Sequence, residues 1–164
     1  VVDRTNGWRM YGYDAGWNDP RVLLEIGKTP YDQLVVLDEF HASESHVEDA
    51  VEWLQQNRKP KGPIYAEHEP ADIEKFRQAG YTARKAEKSI DAGISEVRQR
   101  LETDDGGRRG LLVSSRAQHL IREFLSYKKE YVGASGAEDH SLDSLRYAIT
   151  TNAMHEPMTI PGRF

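Results

Sequence analysis

The sequence has no cysteine among its 164 residues, which removes a disulfide framework and any thiolate zinc site and fits a reducing compartment. It also lacks any apolar run near the ~18 residues that a membrane-spanning helix requires. With 38% hydrophobic and 30% charged residues, the chain reads as soluble and globular, and no membrane partner is expected. Positive charge is short as well: 22 Lys and Arg stand against 27 Asp and Glu, a net charge of -5. That is the wrong sign for a dedicated nucleic-acid binder, although an acidic protein can still gather basic residues on one face. An initiator Met and a signal-peptide pattern are both missing from the opening Val1-Val2-Asp3, so the chain is expected to be a piece of something longer. There is no internal repeat and no low-complexity tract. The length suits one domain with a proper core, and with no thiolates the possible metal ligands are carboxylates and histidines.

Hydrophobic periodicity lays out the elements. Trp8 to Asp14 alternates and stops at Ala15-Gly16, as a strand ending in a turn does. Arg21 to Ile26 and Gln33 to Phe40 are apolar runs on either side of Gly27-Lys28-Thr29-Pro30-Tyr31-Asp32, which predicts a hairpin and hence a meander of three antiparallel strands. From Ser45 the period changes to 3.6, with Val47, Ala50, Val51 and Leu54 on one face and Ser45 with Glu48 as a capping box. Pro63 to Ala66 is a short buried strand that meets Glu67 just before Pro70 starts a second helix, and Gly80 suits that helix's left-handed end. Tyr81 to Ala83 is a brief fifth strand. Ile90 to Leu101 is an amphipathic helix, and Leu111-Leu112-Val113 follows the breaker Asp104 to Gly107. Ser115 and Gln118 suggest a second capping box, ahead of a buried stripe of Leu120, Ile121, Phe124 and Leu125. Asp139 to about Thr151 forms the last helix, with Leu142, Leu145 and Ile149 inward. Pro157 and Pro161 make 156–164 an extended tail. The order of elements argues for a mixed α/β sheet of five strands flanked by helices.

Gly27-Lys28-Thr29 resembles the end of a phosphate-binding loop only superficially. Val22 stands where the upstream Gly belongs, and Pro30 disfavours the helix that should follow. The informative pattern is three separated acidic positions. Asp14 ends the first strand, Glu67 ends the fourth, and Asp139-His140-Ser141-Leu142-Asp143 opens the last helix, where Asp139 and Asp143, and His140 and Asp143, share faces. If the first and fourth strands are neighbours, two carboxylates project together and the helix supplies a third. Such a set suits Mg²⁺ or Mn²⁺, and a pair of such ions ~4 Å apart can activate water and stabilise a leaving oxygen. Each residue also has a structural reading. Asp14 can be a turn residue, Glu67 a first-turn acid, Asp139 an N-cap and His140 an ordinary surface or core histidine.

The chain resembles the C-terminal nuclease domain of the large terminase subunit of tailed viruses. The likeness runs through Gly12-Tyr13-Asp14-Ala15-Gly16 with Asp19-Pro20, Val36-Leu37-Asp38-Glu39-Phe40, Ala66-Glu67-His68-Glu69-Pro70, Lys85 with Ser89-Ile90 and Gly93-Ile94, and Leu120-Ile121-Arg122-Glu123. It ends in its most specific motif, Asp139-His140-Ser141-Leu142-Asp143-Ser144-Leu145-Arg146-Tyr147-Ala148. The resemblance implies an RNase H-like domain over 1–155, in which Asp14, Glu67 and Asp143 are catalytic and hold two divalent cations, Mg²⁺ or Mn²⁺, with Asp139 or His140 as an auxiliary ligand. Most members have Asp where this chain has Glu67. It further implies cleavage of double-stranded DNA during genome packaging in the host cytoplasm and an N-terminal ATPase absent from this chain. The portal protein and the small terminase subunit would be partners of the full-length protein, and the isolated domain would be monomeric. In that reading Lys85, Lys88, Arg108 and Arg109 are candidates for contacts with the phosphate backbone, and the acidic balance predicts weak DNA binding. Two alternatives remain at this point: a resolvase or transposase catalytic core of the same fold, and a non-catalytic module that docks on a portal ring.

Overall fold

The computed structural model describes residues 7–67, 69–87, 90–126 and 139–155. Lys88 and the tail 156–164 lie outside them. β1 (Arg9–Asp14), β2 (Arg21–Lys28) and β3 (Leu34–Ala42) form the antiparallel meander. α1 (Val47–Gln56) leads to β4 (Pro63–Ala66), and α2 (Pro70–Gln78) leads to β5 (Thr82–Lys85). α3 (Ile90–Leu101), β6 (Leu111–Val113), α4 (Gln118–Ser126) and α5 (His140–His155) complete the described elements. The sheet order is β5-β4-β1-β2-β3-β6, with β4 parallel to β1, β5 parallel to β4 and β6 parallel to β3. It is a mixed α/β sheet of the RNase H-like kind, and among the described residues it has six strands where five were expected. The sixth is Leu111–Val113, a run too short for periodicity to identify, which pairs with the edge that the meander leaves open at Leu34 to Val36.

Both faces of the sheet are covered. Tyr11, Tyr13, Leu23 and Ile64 pack against Ala50 and Leu54 of α1 and Ile73 and Phe76 of α2. Met10, Val22, Leu24 and Val36 pack on the other side with Leu120 of α4 and with Leu145, Ala148 and Ile149 of α5. Central strands of such a sheet bury every position, so β1 is buried along its whole length. Its first residue, Arg9, is satisfied within the fold by Glu25 at 3.3 Å, and Glu25 also receives Lys59 at 2.9 Å.

Gly12 decides how α5 sits. A Cβ at this position would overlap the Ser144 backbone carbonyl, so the missing side chain lets α5 lie directly on β1. We expect Gly12→Ala to lower stability by about 3 kcal/mol, because the helix must lift off a packed sheet. Chemical denaturation measures this, and a change below about 0.5 kcal/mol would contradict the close contact.

Two expected caps are built differently. At α1 the Ser45 hydroxyl donates back to the Ala42 carbonyl at 3.0 Å. The start of the helix is closed one residue later, where the Asp49 carboxylate accepts the His46 N–H at 2.7 Å. At α4 the Ser115–Gln118 box gives way to Glu39 of β3, whose carboxylate accepts the N–H groups of His119 at 2.6 Å and Leu120 at 3.2 Å. The α4 stripe is also turned from its expected face. Leu125 is 85% exposed, and Glu123, at 5%, is buried along with Leu120. The cause lies in the next helix: Glu123 accepts the N–H groups of Ser141 at 2.9 Å and Leu142 at 3.0 Å, so a buried carboxylate caps α5 from a neighbouring element.

Candidate metal centre

Parallel pairing of β1 with β4 sets Tyr13 opposite Ala66, so the next residues, Asp14 and Glu67, leave adjacent strands at the same end of the sheet. The Glu67 N–H continues the ladder by donating to the Tyr13 carbonyl at 3.2 Å. α5 starts above these strand ends because Gly12 lets it descend and Glu123 holds its first turn. Its opening residues then face the strand ends. His140 Nδ1 lies 3.0 Å from Asp14 Oδ2, and its Nε2 lies 3.6 Å from Asp19 Oδ1 in the β1–β2 loop. Asp143, in the first turn, receives Arg146 at 2.6 Å. Asp139 precedes the helix and its carbonyl accepts the Asp143 N–H at 2.8 Å.

The electrostatics show how tightly these groups are coupled. Burial drives the Asp14 carboxyl from 3.8 to about 7. The His140 hydrogen bond opposes that rise, while a hydrogen bond with Glu67 and the charges of Glu67 and Asp143 add to it. Burial likewise raises Asp143 to about 6, against the pull of Arg146 and with the charges of Asp139 and Glu67 adding. His140 is raised to about 9, first by its bond to Asp14, with burial opposing and the Asp14, Asp19 and Asp139 charges adding. The Tyr147 phenol is pushed up by burial and then by Asp14, Asp143 and Glu67, which places its ring beside the same cluster.

The structure therefore brings Asp14, Glu67, Asp139, His140 and Asp143 into one neighbourhood. Lys85 is near: it closes β5 opposite Ala66, one residue before Glu67, and is exposed. Arg108 and Arg109 are not. They precede β6, which starts beside Leu34 and Lys28. Strand rise puts that end of β2 about 20 Å from Asp14. There Arg108 pairs with Asp104 at 3.2 Å and lies over the Tyr31 ring, and Arg109 donates to the Leu101 carbonyl at 2.6 Å. Local ties thus hold both in the turn that closes α3 onto β6, away from the acids, and any contact of theirs with the phosphate backbone would lie at that end of the sheet.

Three residues enter the site that sequence reasoning did not single out. Arg146 had a signal, the i,i+3 spacing from Asp143. Asp19 had only its place in the family likeness, because it reaches His140 through the course of the β1–β2 loop. His41 lies in the same cross-sheet row as Asp14, through Val22, and its ring stacks on His119 at 3.7 Å, a pairing set by β3 and α4 together.

Among the described residues no three His, Asp or Glu side chains stand as a ready metal cage. One Asp14 oxygen faces His140 and one Asp143 oxygen faces Arg146. The donor set nonetheless fits a hard divalent cation. Carboxylates from three elements lie close enough that their ionised forms disfavour one another, and a cation among them would remove that repulsion.

No protein-family model and no curated protein matches the sequence. Solved structures do match, and they define the class of the fold: the nuclease domain of large terminases. The P22 large terminase nuclease domain superposes with a TM-score of 0.69 at 19% identity, covering 92% of this chain and 87% of that one. The nuclease domain of the bacteriophage SPP1 large terminase, solved with bound Mn, gives 0.66 at 19%, covering 86% and 84%. The large terminase of a thermophilic bacteriophage, in complex with ATP-gamma-S, gives 0.75 at 19%, covering 92% of this chain and 41% of that one. The chain spans about two fifths of that protein's length, and at these identities the likeness establishes the fold.

Proposed function

We propose that this chain is a divalent-metal-dependent endonuclease domain that cuts double-stranded DNA during viral genome packaging. The observation that carries the reading is the coupled acid cluster of Asp14, Glu67 and Asp143 at one sheet end, with His140 bonded to Asp14. The fold it shares with large terminase nuclease domains, one of them solved with Mn, supports the same reading. Fold alone would not, since unrelated activities share scaffolds.

Asp14, Glu67 and Asp143 would hold two cations, Mg²⁺ or Mn²⁺, with Asp139 or His140 as an auxiliary ligand. Cations bound there supply a Lewis acid for the scissile phosphate and an acidified water as the nucleophile. The protein's own contribution is orientation. Burial of Asp14 limits water around the carboxylates, which strengthens charge interactions. His140, bridging Asp14 and Asp19, fixes the Asp14 carboxyl and holds a proton beside it. Lys85, one strand outward and exposed, is suited to the phosphate backbone, while nothing among the described elements resembles a base-reading module. The thermophilic phage's terminase is more than twice as long as this chain, which suits a domain of a larger motor. An ATPase, a portal protein and a small terminase subunit would then belong to the whole protein.

Plasmid nicking tests the reading. Supercoiled DNA should be nicked and linearised with Mn²⁺, and a chelator should stop it. Lys85→Ala should reduce the salt slope of DNA binding by about 1. An inactive protein that also shows no Mn²⁺ uptake in calorimetry would remove the proposal. Marked preference for four-way junctions over linear duplex would transfer it to a resolvase core.

A further inference from the structure

α5 brings a permanent cation into the acidic cluster. Arg146 follows Asp143 by three residues, so one turn of helix sets the two side chains together, and Arg146 Nη2 donates to Asp143 Oδ1 at 2.6 Å. This is not an ordinary exposed pair, in which two long side chains sample many arrangements. The arginine is 12% exposed and its stem has a seat prepared for it. Gly93 of α3 faces that stem. A Cβ there would overlap Arg146 Cγ and Cδ and come within 3.1 Å of Thr150 Oγ1. Beside the guanidinium lies the Tyr147 ring, with its centroid 5.4 Å from Cζ. Arg146 is therefore constrained at the stem by α3, at the flank by Tyr147 and at the tip by Asp143. Its bond engages a single carboxylate oxygen, which leaves Oδ2 of Asp143 for another partner.

We propose that Arg146 is a positioning residue for the acidic cluster: seated in the gap that Gly93 leaves on α3, it holds Asp143 in the orientation that binds a divalent cation. The inference rests on the metal-centre reading above. It makes Gly93, a residue with no ligand atom in its side chain, part of the site's metal affinity. A lysine in place of Arg146 would keep the charge but lose the planar fork and its stacking.

Isothermal titration of Mn²⁺ into the metal-free protein, with circular dichroism to verify folding, tests it without relying on activity. Arg146→Met should weaken Mn²⁺ binding about tenfold, the range for partners that orient a ligand. Gly93→Ala should weaken it similarly although every ligand and the arginine are retained, and Arg146→Lys should recover part of the loss. Folded Arg146→Met that binds Mn²⁺ as tightly as the parent protein overturns the inference. So does tighter binding, which would make Arg146 a competitor of the cation. If Gly93→Ala does not fold, the two arginine variants decide. A parent protein that takes up no Mn²⁺ overturns the metal-centre reading and the inference together, whereas normal uptake unchanged by the variants removes the inference alone.

Discussion

Asp143→Asn should fold as the parent does and lower Mn²⁺-dependent nicking by about a thousandfold or more. The folding half follows from the surroundings of the residue. Asparagine has nearly the same shape, and Asp143 sits at a helix start where the loss of a first-turn charge costs only about 0.5 kcal/mol. Its ion pair with Arg146 is partly exposed, and the charge removed is one that Asp14 and Glu67 repel. The activity half follows from chemistry: an amide is a poor ligand for a hard cation and supplies no negative charge. Asp14→Asn should behave alike, because burial already drives that carboxyl towards its neutral form. A folded variant of either kind that nicks plasmid at the parent rate would end the mechanism proposed for this site.

Without metal, the domain should lose stability as pH rises from 5 to 9, the reverse of what paired surface carboxylates produce. Asp14 and Asp143 hold their protons to about 7 and about 6 in the folded chain, against 3.8 for an ordinary aspartate, and His140 holds its proton to about 9 against 6.5. Each group thus binds protons more tightly when folded. The carboxyl contributions are complete below their unfolded values and are lost as pH passes 6 to 7, and the His140 contribution is complete below 6.5 and lost as pH passes 9. The thermal midpoint should therefore fall by roughly 10 °C or more over that range for a chain of this size. Mn²⁺ should reverse the trend, raising the midpoint more at pH 8 than at pH 5.5 and releasing protons as it binds. Thermal scans over pH, with and without Mn²⁺, read this directly. A metal-free midpoint that climbs steadily to pH 9 would show that the cluster is not coupled as described.

The contrast between what could and could not be read in advance follows particular residues. The meander, the strand ending at Glu67 and the helix opening at His140 were legible, because each imposes a local period of 2 or 3.6 on its own apolar residues. The turn at Asp32, with φ of 60°, and the helix end at Gly80, with φ of 92°, were legible for a similar reason, since local chemistry selects such residues. The acids of the site were visible as residues at element ends, though each also had a plain structural reading. Glu39 and Glu123 were opaque. Both stand in stretches that carry the family likeness, yet each caps a helix that starts 17 or more residues farther along the chain, and such a bond has no local signature.

Linear order and hydrophobic rhythm thus settled the kind and sequence of the elements and put acids at two strand ends and one helix start, because those features depend on near neighbours in the chain. Folding in three dimensions settled the rest: β4 beside β1, β6 on the open edge of β3, α5 resting on Gly12, and Arg146 lodged against Gly93 with its tip on Asp143. These depend on which distant surfaces meet and how closely two backbones approach, and no periodicity within one segment encodes that.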